Sequence, residues 1–275
     1  VNPSFSNCVK SIPAAVAEGW RRCRQATCLL TRLPVPVAWE PDLKWGQLAG
    51  WYPAVGGLIG VALVLLAWGW GQASGFTIMG GVLVLAAGVA LTGALHLDGW
   101  GDCMDAFFTP VSRERRLEIM ADPRMGSFGT IGLILLLIAK GAGLVFVLSC
   151  ARGRLSFRGQ IEELWPLVVA CVSARAVLAL VLADPHLPLA KPGGMGAKAR
   201  DGLTGKGVIQ AAATALVVAV LGGWRGLGMA GVALLAGFGF AYLARQRIGG
   251  LTGDVLGGVV ESAETAALIA VTFNG

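Results

Sequence analysis

Apolar blocks about as long as a bilayer is thick constrain this chain more than any other feature. Residues 53–71, for instance, contain no charged side chain. A hydrocarbon core of about 30 Å takes roughly 20 helical residues to cross. Inside it every backbone N–H and C=O must be paired within the protein, which leaves helices as the spanning element for blocks of this length. Seven blocks qualify, at 53–71, 76–97, 128–150, 164–183, 207–222, 228–243 and 255–273. The last three are the weakest, two by length and the third because it carries Glu261 and Glu264. The expected fold is therefore all-α: a polytopic membrane bundle of about seven helices, within a range of five to eight. Charged residues make up only 14% of the 275-residue chain, against roughly 25% in soluble domains.

The net charge of +6 would suggest nucleic acid in a soluble protein, but the basic residues lie almost entirely between the apolar blocks. With a cytoplasmic amino terminus, sixteen Lys and Arg fall on inside segments and four outside, with Lys140 and Arg175 within spans. That asymmetry orients the chain and makes a nucleic-acid partner unnecessary. Six cysteines show neither a CxxC pair nor zinc-ligand spacing, so no metal-thiolate site or disulfide framework is expected. Residues 1–19 lack the order of a signal peptide, so insertion is expected to rest on the spans. They read as an extension to one membrane domain at 20–275.

The second block ends in Ala94-Leu-His-Leu-Asp-Gly-Trp-Gly-Asp-Cys-Met-Asp, which places Asp98, Asp102 and Asp105 at spacings of four and three. On a helix those spacings share one face, whereas a loop that was merely soluble would need no fixed spacing. Clustered carboxylates repel and call for a compensating cation, and an all-oxygen donor set favours Mg²⁺ or Mn²⁺ over zinc. His96, one of two histidines, stands two residues before the first acid and could act as base or ligand. Asp122-Pro-Arg-Met-Gly-Ser-Phe-Gly adds an acid, the Arg124 guanidinium and two glycines before the third block. An Arg fork beside glycine suits a phosphate.

Further polar residues stand in or near spans. Gly250-Leu-Thr-Gly-Asp-Val-Leu-Gly puts Asp254 at the head of the last block, with Glu261 seven residues on along the same helix face. Intramembrane charge is costly and usually marks a pathway or site. Arg175 reads as a natural partner for Glu261, and Lys140 is harder to place. The Lys191-Pro-Gly-Gly-Met-Gly-Ala-Lys stretch is a loop by composition, and its amides with Lys191 and Lys198 could cradle a phosphate.

Together with Thr31-Arg-Leu-Pro-Val-Pro and Arg113-Glu-Arg-Arg-Leu-Glu-Ile-Met, these motifs run in order over about residues 20–270. In that combination the chain resembles the cobalamin synthase family, adenosylcobinamide-GDP ribazoletransferase. It departs from the family pattern at Trp100-Gly101, Ala106 and Pro123, none of which replaces an acid. The resemblance implies a Mg²⁺-dependent enzyme of a bacterial inner membrane, with its site facing the cytoplasm. It would pass the cobinamide phosphate of adenosylcobinamide-GDP to α-ribazole or its 5′-phosphate and release GMP. On that reading Asp98, Asp102 and Asp105 hold the metal, and His96 or an acid takes the hydroxyl proton. Arg32, Asp122, Arg124, Arg175, Lys191, Lys198, Asp254 and Glu261 would serve the phosphates and substrate. Nothing in the sequence opposes a homo-oligomer.

Two rivals remain. A CDP-alcohol-type membrane phosphotransferase also clusters aspartates, but its Asp-x-x-Asp-Gly-x-x-Ala-Arg run does not occur. A transporter could use Arg175, Lys140 and Glu261 as an ion pathway, but it gives no reason for three spaced aspartates.

Overall fold

A computed structural model describes residues 14–36, 40 and 43–274. Residues 1–13, most of the expected extension and including Cys8 and Lys10, lie outside the described residues. Its remainder opens a helix that runs through the expected domain boundary.

The described chain is helical throughout: α1 (Ala14–Leu30), a 3-10 segment (Trp45–Trp51), α2 (Tyr52–Ser74), α3 (Ile78–Thr92), α4 (Leu95–Phe108), α5 (Arg113–Ile119), α6 (Ser127–Arg152), α7 (Phe157–Ala183), α8 (Met195–Arg200), α9 (Gly205–Leu221), α10 (Gly223–Ile248) and α11 (Gly253–Ala270). Hydroxyl side chains start several of them. Thr77, Ser156, Thr204 and Thr252 each accept a first-turn N–H, which satisfies a donor that the helix cannot pair itself.

The long helix α7 forms the centre. Its apolar window is 89% buried inside the protein, against 33% for α6 and α10, whose outer faces are left for lipid. Lipid offers no hydrophobic drive for association, so helices in a bilayer cohere by close packing. Gly56 and Gly60 on α2 supply it. A Cβ at Gly60 would stand 2.6 Å from the Val168 Cα, and one at Gly56 would strike the Cys171 carbonyl of α7. Gly231 on α10, by contrast, has open space around it.

Five helical stretches are long and apolar enough to span, or six if the bent pair α3 and α4 is one span. This lies within the expected range. The block at 207–222 makes the shorter helix α9. The second block differs most from expectation, because it does not run out into a loop. It breaks at Gly93 (φ 63°) and Ala94 (φ 59°), turns by 92°, and continues as α4. Both amides stay bonded through the turn, Gly93 to the Ala90 carbonyl (3.2 Å) and Ala94 to that of Val89 (3.0 Å). A left-handed residue closes a helix in this way, and glycine takes that conformation without a Cβ penalty.

At the same end of the bundle, Arg113 Nε donates to the Ile248 carbonyl (2.8 Å) and Arg116 Nη1 to that of Arg247 (3.1 Å). Two guanidinium groups thus cap the carboxyl end of α10, where free carbonyls carry partial negative charge. The chain after α7 pairs back on the approach to α11: the Leu251 N–H donates to Pro188 (2.8 Å) and that of Ala190 to Leu251 (3.0 Å). The Lys191 loop is thereby tied beside the amino end of α11.

Candidate functional site

The bend after Gly93 lays α4 across the amino end of α11, and two glycines set how close they come. A Cβ at Gly99 would fall 2.6 Å from the Asp254 carbonyl oxygen, and one at Gly257 would fall 3.0 Å from that of His96. Backbone contact therefore delivers Asp254 to the acids of α4. Asp102 has Asp254, Asp98 and Asp105 as its charged neighbours. Asp98 is exposed, while Asp102 and Asp254 are half-buried.

The carboxylates of Asp98 and Asp102 have neither an ion pair nor a hydrogen bond among the described residues. Asp254 receives only a long contact from the Thr252 hydroxyl, 3.4 Å. The exposed Lys191 acts on Asp254 without forming an ion pair, and carboxylates gathered in this way still raise one another's energy, so the arrangement calls for a further cation. Among the described residues, no three His, Cys, Asp or Glu side chains form a group that could hold an ion by themselves. The donor chemistry nonetheless fits Mg²⁺, which is usually held by one or two carboxylates with substrate phosphates and water completing its shell.

Asp105 has a different employment from the ligand role expected of it. Its two oxygens accept the N–H groups of Gly126 (2.7 Å) and Gly129 (2.8 Å) at the start of α6. Gly126 has no side chain with which to cap that helix, so a carboxylate from α4 caps it instead. A Cβ at Gly129 would collide with the carboxylate, which accounts for the second glycine of the motif.

Asp122 and Arg124 form a forked pair with each other, through Nε (2.9 Å) and Nη2 (2.7 Å). The guanidinium holds the Asp122 carboxyl down at about 2, so the pair stays ionised at any ordinary pH. Arg124 is otherwise exposed. Arg32 is exposed too, and its side chain lies over Gly93, where a Cβ would collide with it. Lys198 on α8 sits 5.8 Å over the Trp45 ring, and Lys191 is exposed in its loop.

The structure separates Arg175 and Glu261 from this group. Arg175 is fully buried and bonds Glu264, with a longer contact to the Cys171 carbonyl (3.4 Å). Lys140 bonds Glu261 and also Glu264, the latter at 3.1 Å. The expected pairing of Arg175 with Glu261 is thus replaced by a four-residue network of two cations and two anions. Buried charges persist when paired, and this set is balanced. Neither Arg175 nor Glu261 is left free for a phosphate. Glu264 completes the network at one helical turn from Glu261, a spacing visible in sequence but not its partner.

Trp100, where the chain departs from the family pattern, points into the bundle. Its ring stacks on Phe240 (5.2 Å between centroids) and its Nε1 donates to the Gly132 carbonyl (3.1 Å).

Arg32, His96, Asp98 and Asp254 all line one cavity, with a volume of about 320 Å³. His96 is buried, and its Nδ1 has no hydrogen-bond partner. Sequence reasoning missed much of the apolar wall, such as Trp45, Leu178 and Leu182, because apolar residues on the 3-10 segment and α7 carry no local motif.

The profile of a family described as cobalamin-5-phosphate synthase matches residues 22–272. Curated relatives named adenosylcobinamide-GDP ribazoletransferase align over nearly their whole length. That of Brevibacillus brevis is 35% identical over 250 residues, covering 89% of this chain and 94% of the relative. That of Ectopseudomonas mendocina is 35% identical over 256 residues, covering 91% and 98%. That of Escherichia coli (strain K12 / DH10B) is 34% identical over 253 residues, covering 88% and 95%. No solved structure matches.

Proposed function

Since the chain belongs to the cobalamin-5-phosphate synthase family, we propose that it is an adenosylcobinamide-GDP ribazoletransferase working at the α4–α11 mouth. It transfers the cobinamide phosphate of adenosylcobinamide-GDP to α-ribazole or its 5′-phosphate. The observation that carries the reading is the gathering of Asp98, Asp102 and Asp254 with no ion pair to any of them among the described residues, Lys191 acting on Asp254 only at a distance.

The acceptor's ribose hydroxyl attacks the phosphorus that carries the cobinamide arm. A phosphodiester forms, the P–O bond to the GMP phosphate breaks, and GMP departs with the bridging oxygen. The hydroxyl proton passes to a carboxylate of the site. Negative charge moves onto the departing phosphate, so the transfer needs fixed positive charge more than covalent chemistry from the protein. Asp98, Asp102 and Asp254 would hold Mg²⁺, which when bound supplies charge neutralisation at the diphosphate. Arg32, which lines the cavity, together with Lys191, Lys198 and Arg124, would supply further cations for the phosphates. Asp105 acts through structure, fixing α4 to the start of α6. The large corrinoid remains at the membrane surface, since the cavity is far too small for it.

Purified protein in detergent, supplied with adenosylcobinamide-GDP, α-ribazole and Mg²⁺, is expected to release GMP and complete cobamide in equal amounts. Chelation should stop both and added Mg²⁺ should restore them. Release of CMP from CDP-diacylglycerol with an alcohol, and no GMP from the corrinoid, would sink the proposal. The acids are expected to face the cytoplasm of a bacterial inner membrane, as the basic-residue asymmetry argues.

A further inference from the structure

A groove of about 500 Å³ lies between α1 and the first turns of α2. Trp20, Cys23, Arg24 and Thr27 line it from α1, at spacings that put them on one helix face. Ala54 and Leu58 line it from α2, and the exposed Val61 and Leu65 continue the same face along that helix. The groove therefore opens at the head of an outward, lipid-facing stripe. With Glu18, Arg21, Arg22 and Arg24 in its sequence, α1 is too polar to span. An amphipathic helix of this kind lies in the plane of the membrane surface, where tryptophan is also at home.

The charges on α1 are not used alike. Glu18 bonds both Arg21 and Arg22, and Glu40 bonds Arg21 as well. The Thr27 hydroxyl donates to the Cys23 carbonyl (2.9 Å). Arg24 is half-buried at the groove, yet its guanidinium has neither an ion pair nor a hydrogen bond among the described residues. Hydrocarbon alone would select nothing here, because a lipid tail gains little by leaving other tails for an apolar groove. A guanidinium beside that groove does select, since its fork matches phosphate oxygens. The phosphate of a zwitterionic lipid already has an ammonium beside it, so an anionic headgroup gains more. The basic-residue asymmetry predicts the cytoplasmic leaflet for α1, which is the leaflet that carries anionic lipid.

We infer that this groove holds an anionic phospholipid, with one chain along Ala54, Leu58 and Val61 and its phosphate on Arg24. The chain of α1 runs on into Leu30, Thr31 and Arg32, which line the cavity beside the acids. The lipid thus braces an element whose far end forms part of the candidate site. Its binding is independent of the transfer proposed above.

The full chain, freed of lipid in detergent, is titrated with phosphatidylglycerol or with phosphatidylcholine of the same chains, and bound lipid is counted by native mass spectrometry. The first phosphatidylglycerol should bind at least about fivefold more tightly, the gain that one basic side chain near an anionic surface supplies. Arg24→Gln should cut that preference to less than about twofold. Arg22→Gln, whose guanidinium Glu18 already holds, should leave the preference within about twofold of the native value. Leu58→Trp fills the groove and should weaken both lipids alike. Cys23 reports the place: its alkylation by N-ethylmaleimide, read on its own peptide, should slow at least about fivefold with saturating phosphatidylglycerol, and Arg24→Gln should abolish the effect. Equal binding of the two lipids by the native protein, or a preference that survives Arg24→Gln, would overturn the assignment. So would an equal loss in Arg22→Gln, which would mean diffuse surface charge. Occupation of the groove by this chain's own residues after Pro36 would show as Cys23 alkylation indifferent to lipid, and would also overturn it. If Leu58→Trp does not fold, the Arg24→Gln and Cys23 measurements decide by themselves.

Discussion

Asp102 and Asp105 are three positions apart on one helix, and the structure gives them opposite tasks. Asp102 faces other carboxylates with nothing bonded to it, whereas both oxygens of Asp105 hold backbone amides of α6. Replacing each by asparagine separates the two tasks. Asp102→Asn removes a charge that the proposed reaction uses, so turnover should fall on the order of 100-fold, with the melting temperature in detergent unchanged or raised. Asp105→Asn can accept only one of the two N–H bonds. It should destabilise the protein by about 1–3 kcal/mol, read as a lower melting temperature. Full transfer activity in the Asp102 variant would remove the centre of the proposed function. The buried network yields a further residue-level expectation. Glu264→Gln strands the Arg175 guanidinium in a dry interior and should cost about 3–5 kcal/mol, while Arg175→Leu with Glu264→Leu should recover most of it. The Lys140–Glu261 pair stays balanced in that double variant. A double variant no more stable than Glu264→Gln alone would show that the network does more than balance charge.

At the scale of elements, the site depends on how closely α4 approaches α11. Gly99→Ala drives a methyl against the Asp254 backbone, and overpacking of this kind typically costs about 1–3 kcal/mol. The prediction is a turnover loss of about tenfold or more, because the shift parts Asp98 and Asp102 from Asp254. Gly231→Ala on α10, with nothing within 4 Å of the added carbon, should leave turnover and melting temperature as they were. Equal effects from the two substitutions would deny the crossing its special role. The elements themselves were largely readable from sequence, since apolar length alone marks a span. The bend at Gly93 was not. A single glycine in an apolar block is compatible with a straight helix as well as with a left-handed turn, and only the contacts made by α4 favour the turn. The Arg113 motif was also read without its task, because its acceptors are carbonyls of α10 more than 130 positions away.

For the whole molecule, the motifs that lie far apart in sequence meet at one end of the bundle. The amino ends of α6 and α11, the bent helix α4, and the carboxyl end of α10 all contribute there. The basic-residue asymmetry predicts a cytoplasmic position for that end. In a cysteine-free background, Arg115→Cys should react with a membrane-impermeant maleimide only after permeabilisation, and Arg158→Cys should react in intact spheroplasts. Both sites are exposed side chains, at 64% and 89%, so failure to react would reflect sidedness. The opposite pattern would invert the orientation and strand the site away from cytoplasmic nucleotides.

The sequence by itself determined that the chain is a helical membrane bundle, which orientation to expect of it, and that an acidic motif stands at the end of the second apolar block. Each of these follows from local quantities: the length of an apolar run, the sign of the flanking charges, and the spacing of aspartates on one helix. Only the tertiary structure decided that Asp254 joins Asp98 and Asp102, that Asp105 caps α6, that Arg175 pairs with Glu264, and that an apolar cavity opens beside His96. Those outcomes depend on which helix faces touch. Small residues such as Gly99 and Gly257 set that contact through long-range packing, and no local window of sequence contains both sides of it.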